Sequence, residues 1–181
     1  MGAWIGWLLM SMAAGAPEGF EVVRETGGCV ISSRPPTNPA KAALHAACVW
    51  PTVDPVLLTA LVTAPSRYPE FIWPLKQSEV RRTDGQRSLV FQQQHVWPLA
   101  PREVLLWMTP EPWQGGTKMT WTVAVEEPFA VPNGSIHVPR SDGFWAVTAD
   151  PGGGARVEHQ IAMDGGGKIP RAGQRVVGHL G

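Results

Sequence analysis

Residues 117–125, TKMTWTVAV, alternate between two kinds of side chain without a break. Successive side chains of an extended strand point to opposite faces, so Met119, Trp121, Val123 and Val125 share one face while Lys118, Thr120 and Thr122 share the other. The same period of two returns in SLVFQQQHVW (88–97), GFWAVTA (143–149) and ARVEHQIAM (155–163). Between these segments stand DGQ, PEPWQGG, PNGS, RSDG and DPGGG, which read as turns. Eighteen prolines and twenty glycines leave little room for long helices. The pattern predicts a meander of antiparallel strands with one apolar face and one wet face.

Upstream, CVISSRPPTNPAKAALHAACVW (29–50) reads as a strand, a proline-rich turn and a second strand. Asp54 followed by Pro55 is a helix start, an N-cap acceptor before a residue preset for the first helical position. Leu57, Leu58 and Leu61 then fall on one helical face, and Pro65 and Pro69 end the run. An apolar sheet face must be covered by another layer. The later segment with helical periodicity is Ile169 to Leu180, whose stripe is Ile169, Gly173, Val176, Val177 and Leu180. A helix so short needs packing on the sheet to persist.

The run MDGGGKIP ahead of that helix raises the question of a phosphate site. A P-loop needs a glycine five residues before its Gly-Lys pair and a Ser or Thr after the lysine. Ala162 and Ile169 occupy those places, so the glycines lead into a covering helix instead. Zero formal net charge and 17% charged residues argue against nucleic acid as a partner. His45, His95, His137, His159 and His179 show no metal-ligand spacing, and NGSIH lacks the nucleophile elbow. No catalytic residue, metal or cofactor is therefore expected.

The first residues carry an apolar stretch, Ala3 to about Met12, too short to span a bilayer and followed by the small residues Ala14, Gly15 and Ala16. We read residues 1–16 as a signal peptide and 17–181 as one folded domain of a periplasmic or secreted protein. The alternative is an apolar N-terminal helix that stays attached, in a cytoplasmic protein. Cys29 and Cys48 flank the turn centred near Asn38, and antiparallel pairing would bring them opposite each other. Export implies a disulfide, a reducing compartment two buried thiols.

Gln93, His95 and His159 interrupt apolar strand faces, and burying them costs free energy unless they find partners. They are either satisfied core residues or edge positions, or they meet the polar end of a mostly apolar ligand. The nine tryptophans carry the same two readings, core packing or a greasy cavity.

VWPLAPREVLL resembles the "PWP…RD" segment of START lipid-transfer domains, with Trp97, Pro98, Arg102 and Glu103 in the matching places. MDGGGKIP resembles that family's "DPGGxIP" before its final helix, through Asp164, Gly166, Gly167, Ile169 and Pro170. SRYPEFIWPLKQSEVRR is similar to the helix-to-strand passage of the wider START-like superfamily, in which members that bind coenzyme Q or shape polyketides carry a similar YPEF. The resemblance spans roughly residues 20–180. It implies an α+β helix-grip fold, a curved antiparallel sheet wrapped around a C-terminal helix that is short here, with a lipid-sized tunnel between them.

The resemblance further implies a monomer that binds a lipid or other hydrophobic small molecule and transfers it through transient membrane contact. The expected lining is Phe91, Gln93, His95, Trp97, Met119, Trp121, Val123, Trp145, Val157, His159 and Ile161, with Ile169, Val176 and Val177 from the helix. Alternatives on the same fold are a cyclase- or hydrolase-like enzyme and a coenzyme Q or polyketide-type binding protein.

Overall fold

The computed structural model describes residues 16–34, 41–95 and 97–167. The expected leader, the turn near Asn38 and the covering helix with Ile169, Val176 and Val177 lie outside these residues.

One sheet dominates. Its strands are β1 (Glu21–Thr26), β2 (Cys29–Arg34), β3 (Lys41–Trp50), β4 (Leu75–Asp84), β5 (Arg87–Gln94), β6 (Arg102–Trp113), β7 (Gly116–Val123), β8 (Ile136–His137), β9 (Arg140–Ala149) and β10 (Ala155–Asp164). They lie in the order β1-β2-β3-β10-β9-β7-β6-β5-β4, all pairs antiparallel, with the two-residue β8 pairing parallel to β6. The chain begins at one edge, crosses from β3 to the opposite edge at β4, and returns strand by strand until β10 closes against β3. That crossover carries α1 (Pro55–Val62) and a 3-10 helix (Pro65–Glu70). The architecture is the curved antiparallel sheet with few helices expected of an α+β helix-grip fold.

The helix start is as the sequence predicts: Asp54 Oδ1 accepts from the Val56 amide at 2.8 Å, and Pro55 opens the helix. Its buried face is not. Val62 is the buried residue, whereas Leu57 is exposed and Leu58 and Leu61 are half-buried. The helix is apolar nearly all round, so spacing alone did not select a face. The Tyr68 hydroxyl donates to the Val62 carbonyl at 2.6 Å and ties the helix end to the turn that follows.

Two of the expected turns are strand instead. RSDG lies within β9, and the PEPWQGG connection narrows to Gln114 and Gly115 because β6 runs on to Trp113. β1 is a strand that the polar sequence EVVRET did not announce.

The larger correction concerns the wet face. The inner face, which bears the 3-10 helix, holds a core of Val90, Val104, Leu106, Met108, Met119 and Trp121 with Tyr68, Leu75 and Val138. The outer face holds a second core, Leu89, Phe91, Leu105, Trp107 and Ala124, against which Phe129 packs. The segment between β7 and β8 covers it. Ala124 donates its amide to the Leu105 carbonyl at 2.9 Å, Trp107 Nε1 donates to Glu126, and Arg82 pairs with Glu127 at 2.6 Å. The centre of the sheet is thus buried on both sides.

Cys29 and Cys48 stand directly opposite on β2 and β3 and form a disulfide, their Cα atoms 4.0 Å apart.

Candidate functional site

A cavity of about 80 Å³ lies on the inner face beneath the crossover segment. β5 contributes Gln92 and Gln94, β6 Leu106 and Met108, β7 Trp121, β9 Ser141 and Trp145, and β10 His159 and Ile161. Tyr68, Ile72 and Leu75 close it from the crossover. Strand pairing explains the grouping. His159 is opposite Trp145, Ile161 opposite Gly143, Gly143 opposite Trp121 and Trp121 opposite Met108, and directly paired residues share a face.

Of the residues expected from sequence, Trp121, Trp145, His159 and Ile161 line this cavity. Met119 belongs to the surrounding core and Val123 packs against it, while Val157 is buried farther along the same face of β10. Phe91 and Gln93 are on the outer face, because β5 presents Val90, Gln92 and Gln94 inward. Apolar side chains on both parities of SLVF hid which set faces in. His95 lies just past β5, its amide donating to the Pro74 carbonyl at 3.2 Å. Trp97 is 82% exposed, a loop residue and not a lining one.

Sequence reasoning missed Tyr68, Ile72, Leu75, Gln92, Gln94, Leu106, Met108 and Ser141. EVLLWMT in β6 is apolar in both registers and carries no signal of face. Tyr68 arrives through a crossover that local periodicity cannot place.

The cavity's polar groups are neutral. Tyr68 is committed to Val62, and burial pushes its phenol pKa up. Gln92 donates to Ser78 Oγ at 3.4 Å. The His159 ring stacks on Trp145, centroids 3.8 Å apart and planes 15° off parallel, and lies 5.7 Å from the Trp121 ring. Its Nδ1 stands 3.0 Å from the Phe144 carbonyl oxygen. Desolvation outweighs that hydrogen bond and lowers its pKa to about 4. At neutral pH the imidazole is uncharged.

A second concavity, a groove of about 430 Å³, opens on the outer face among Arg81, Arg82, Phe91, Glu127, Phe129 and Pro132. At its base Glu103 is fully buried, and its Oε1 accepts from Gln93 Nε2 at 2.7 Å and from Ser135 Oγ at 3.0 Å. The groove is larger, yet its arginines are already paired, Arg82 with Glu127 and Arg81 with Glu79. Glu103 Oε2 at its base has no partner among the described residues. The inner cavity is walled by aromatic and neutral polar side chains with no charged residue among its described lining, and we take it as the candidate site. Among the described residues, no three His, Cys, Asp or Glu side chains stand close enough to hold a metal ion.

A curved antiparallel sheet with few helices and a small aromatic cavity on its inner face is an α+β architecture. The solved structures it matches specify that fold further. The STAR-related lipid transfer protein from Xanthomonas axonopodis aligns with a TM-score of 0.73 at 16% identity, over 88% of this chain and 91% of that one. Human STARD10 aligns with a TM-score of 0.74 at 10% identity, over 91% of this chain and 67% of that one. Human StAR-related lipid transfer protein 5 aligns with a TM-score of 0.69 at 14% identity, over 91% and 80% of the two chains. No protein-family model matches the chain, and no curated protein matches it in sequence. The fold is START-like.

Proposed function

We propose that this protein binds a hydrophobic ligand, a lipid, on the inner face of its sheet and carries it between membranes. The observation that carries the reading is the cavity itself: Trp121, Trp145, Ile161, Leu106 and Met108 form an apolar chamber in which every polar group is neutral. Likeness of fold to STAR-related lipid transfer proteins supports it. Burying each methylene of an acyl chain stabilises a complex by about 0.8 kcal/mol. Pockets preformed for small molecules hold about 300–1,000 Å³. A cavity of about 80 Å³ receives the end of such a ligand, and a whole lipid requires the inner face to open further.

Exposed Val56, Leu57, Trp73 and Trp97 support transient contact with a membrane surface. The Cys29–Cys48 disulfide supports a periplasmic or secreted location. We further take the working form as a monomer.

Native mass spectrometry of the purified protein, followed by extraction and identification of anything bound, tests the reading. A co-purifying lipid at stoichiometric level is expected. Absence of any bound lipid, with no saturable binding across a broad lipid panel, would overturn it.

A further inference from the structure

The ring of His159 is held from several sides. Trp145 stacks on it, Trp121 flanks it, and Nδ1 lies 3.0 Å from the Phe144 carbonyl. A carbonyl oxygen only accepts, so Nδ1 carries the proton and donates it. The neutral ring then presents Nε2 as a bare acceptor. Among the described residues nothing donates to it, while the ring forms part of the cavity wall.

The remaining wall adds no charge. No Asp, Glu, Lys or Arg is among the described residues that line the cavity. A ligand ending in carboxylate or phosphate would bring an ion in with no counterion to receive it. A ligand that is hydrocarbon throughout would leave Nε2 without a partner. A hydroxyl group avoids both penalties, since it is neutral and it donates.

We infer that the cavity selects hydrophobic alcohols, molecules with a neutral hydroxyl at one end of an apolar body, and that His159 Nε2 accepts the hydroxyl proton. This rests on the reading of the inner face as a ligand cavity. His159 is then the residue that sets ligand specificity, and the tryptophans beside it hold its ring in the accepting orientation.

Three ligands of equal chain length separate the possibilities: dodecanol, dodecyl methyl ether and dodecanoate. Their affinities for the full chain would be measured by change in tryptophan emission at neutral pH. Dodecanol should bind about tenfold more tightly than the ether, which cannot donate, and dodecanoate should bind weakest. His159→Phe keeps the stack on Trp145 and removes the acceptor. It should bring dodecanol down to the affinity of the ether measured on the same variant.

Nitrogen NMR of histidine-labelled protein gives a readout that needs no variant. The His159 Nε2 resonance should shift on adding dodecanol and stay in place on adding the ether. Saturable binding of alcohol and ether with equal affinity, or an unmoved Nε2 resonance, overturns the role of His159 and leaves the lipid reading standing. Binding of none of the three overturns the role of His159, and only if the broad lipid panel also shows no saturable binding does the lipid reading fall with it.

Discussion

Gly143 on β9 lies directly opposite Trp121 on β7, and a Cβ at position 143 would stand 2.6 Å from Cζ2 of the indole. The missing side chain leaves room for the Trp121 ring and for the Gln160 carbonyl oxygen, which the same Cβ would approach more closely still. Gly143→Ala is expected to displace the indole and to destabilise the fold by about 1–3 kcal/mol, the usual cost of overpacking. Thermal denaturation and near-ultraviolet circular dichroism would both register it. An unchanged melting temperature with an unchanged aromatic spectrum would contradict the close approach.

Stability should fall with acidity below neutrality. The His159 pKa is lowered to about 4 by burial, and desolvation lowers that of His45 as well, from an ordinary value of 6.5. Between those values the unfolded chain binds more protons than the folded one, so ΔG of unfolding rises with pH and is lost as pH falls. For His159 alone the loss reaches about 3 kcal/mol by pH 4. Urea midpoints measured from pH 8 downward check this. His159→Phe should lose this contribution and retain those of His45, where Glu158 opposes the effect of burial, and of Asp150 and Glu126, whose carboxyl pKa values are lowered by hydrogen bonds.

The parts of the site that were legible in the sequence are those where one face of a strand is polar. In β7, Lys118, Thr120 and Thr122 alternate with Met119 and Trp121, and Trp121 lies in the cavity wall. His159 stood out as a polar residue between Val157 and Ile161, and it lies in the cavity. Leu89–Phe91 of β5 and Val104–Met108 of β6 are apolar on both faces, so alternation marks neither face. Leu89 and Phe91 are as apolar as Val90, and both sets are buried, because Ala124 and Phe129 arrive from distant sequence to cover the outer face. A contact made by a segment far along the chain leaves no trace in local periodicity. The same holds for Tyr68 and Ile72, which reach the cavity through the crossover.

Reduction of the disulfide should be measurable without loss of the fold. The bridge closes a loop with a sequence separation of 19, which in the chain-entropy account stabilises by about 3 kcal/mol. Thiol titration of the unfolded protein without reductant should find no free thiol. Reductant should then lower the urea midpoint, and Cys29→Ser with Cys48→Ser should reproduce the shift. Two titratable thiols in oxidised protein would refute the pairing.

Gly166 has φ of +65°, and a Cβ there would come within 2.5 Å of the His137 carbonyl oxygen. L-residues with a side chain rarely adopt that conformation, so Gly166→Ala is expected to lower the melting temperature. If the glycine serves only this tight turn, lipid exchange per folded molecule stays at the wild-type rate. Stopped-flow transfer from labelled vesicles, paired with the thermal melt, measures both quantities. Slower loading and release at unchanged affinity would instead mark it as a hinge.

The hydrogen bonds at Glu103 bear on how β5 finds its place. A strand apolar on both sides can slip by one residue against β6 and still bury hydrocarbon on each face, so hydrophobic burial alone accepts the misaligned pairing. Gln93 opposite Glu103 removes that tolerance. A slip would carry Gln93 to the inner face and leave the buried Glu103 carboxylate with Ser135 as its remaining donor. An ungainly polar trio in an otherwise greasy layer thus acts as a key that fits one alignment. The cavity on the far side of the sheet depends on it, since only in that alignment do Gln92 and Gln94 turn inward.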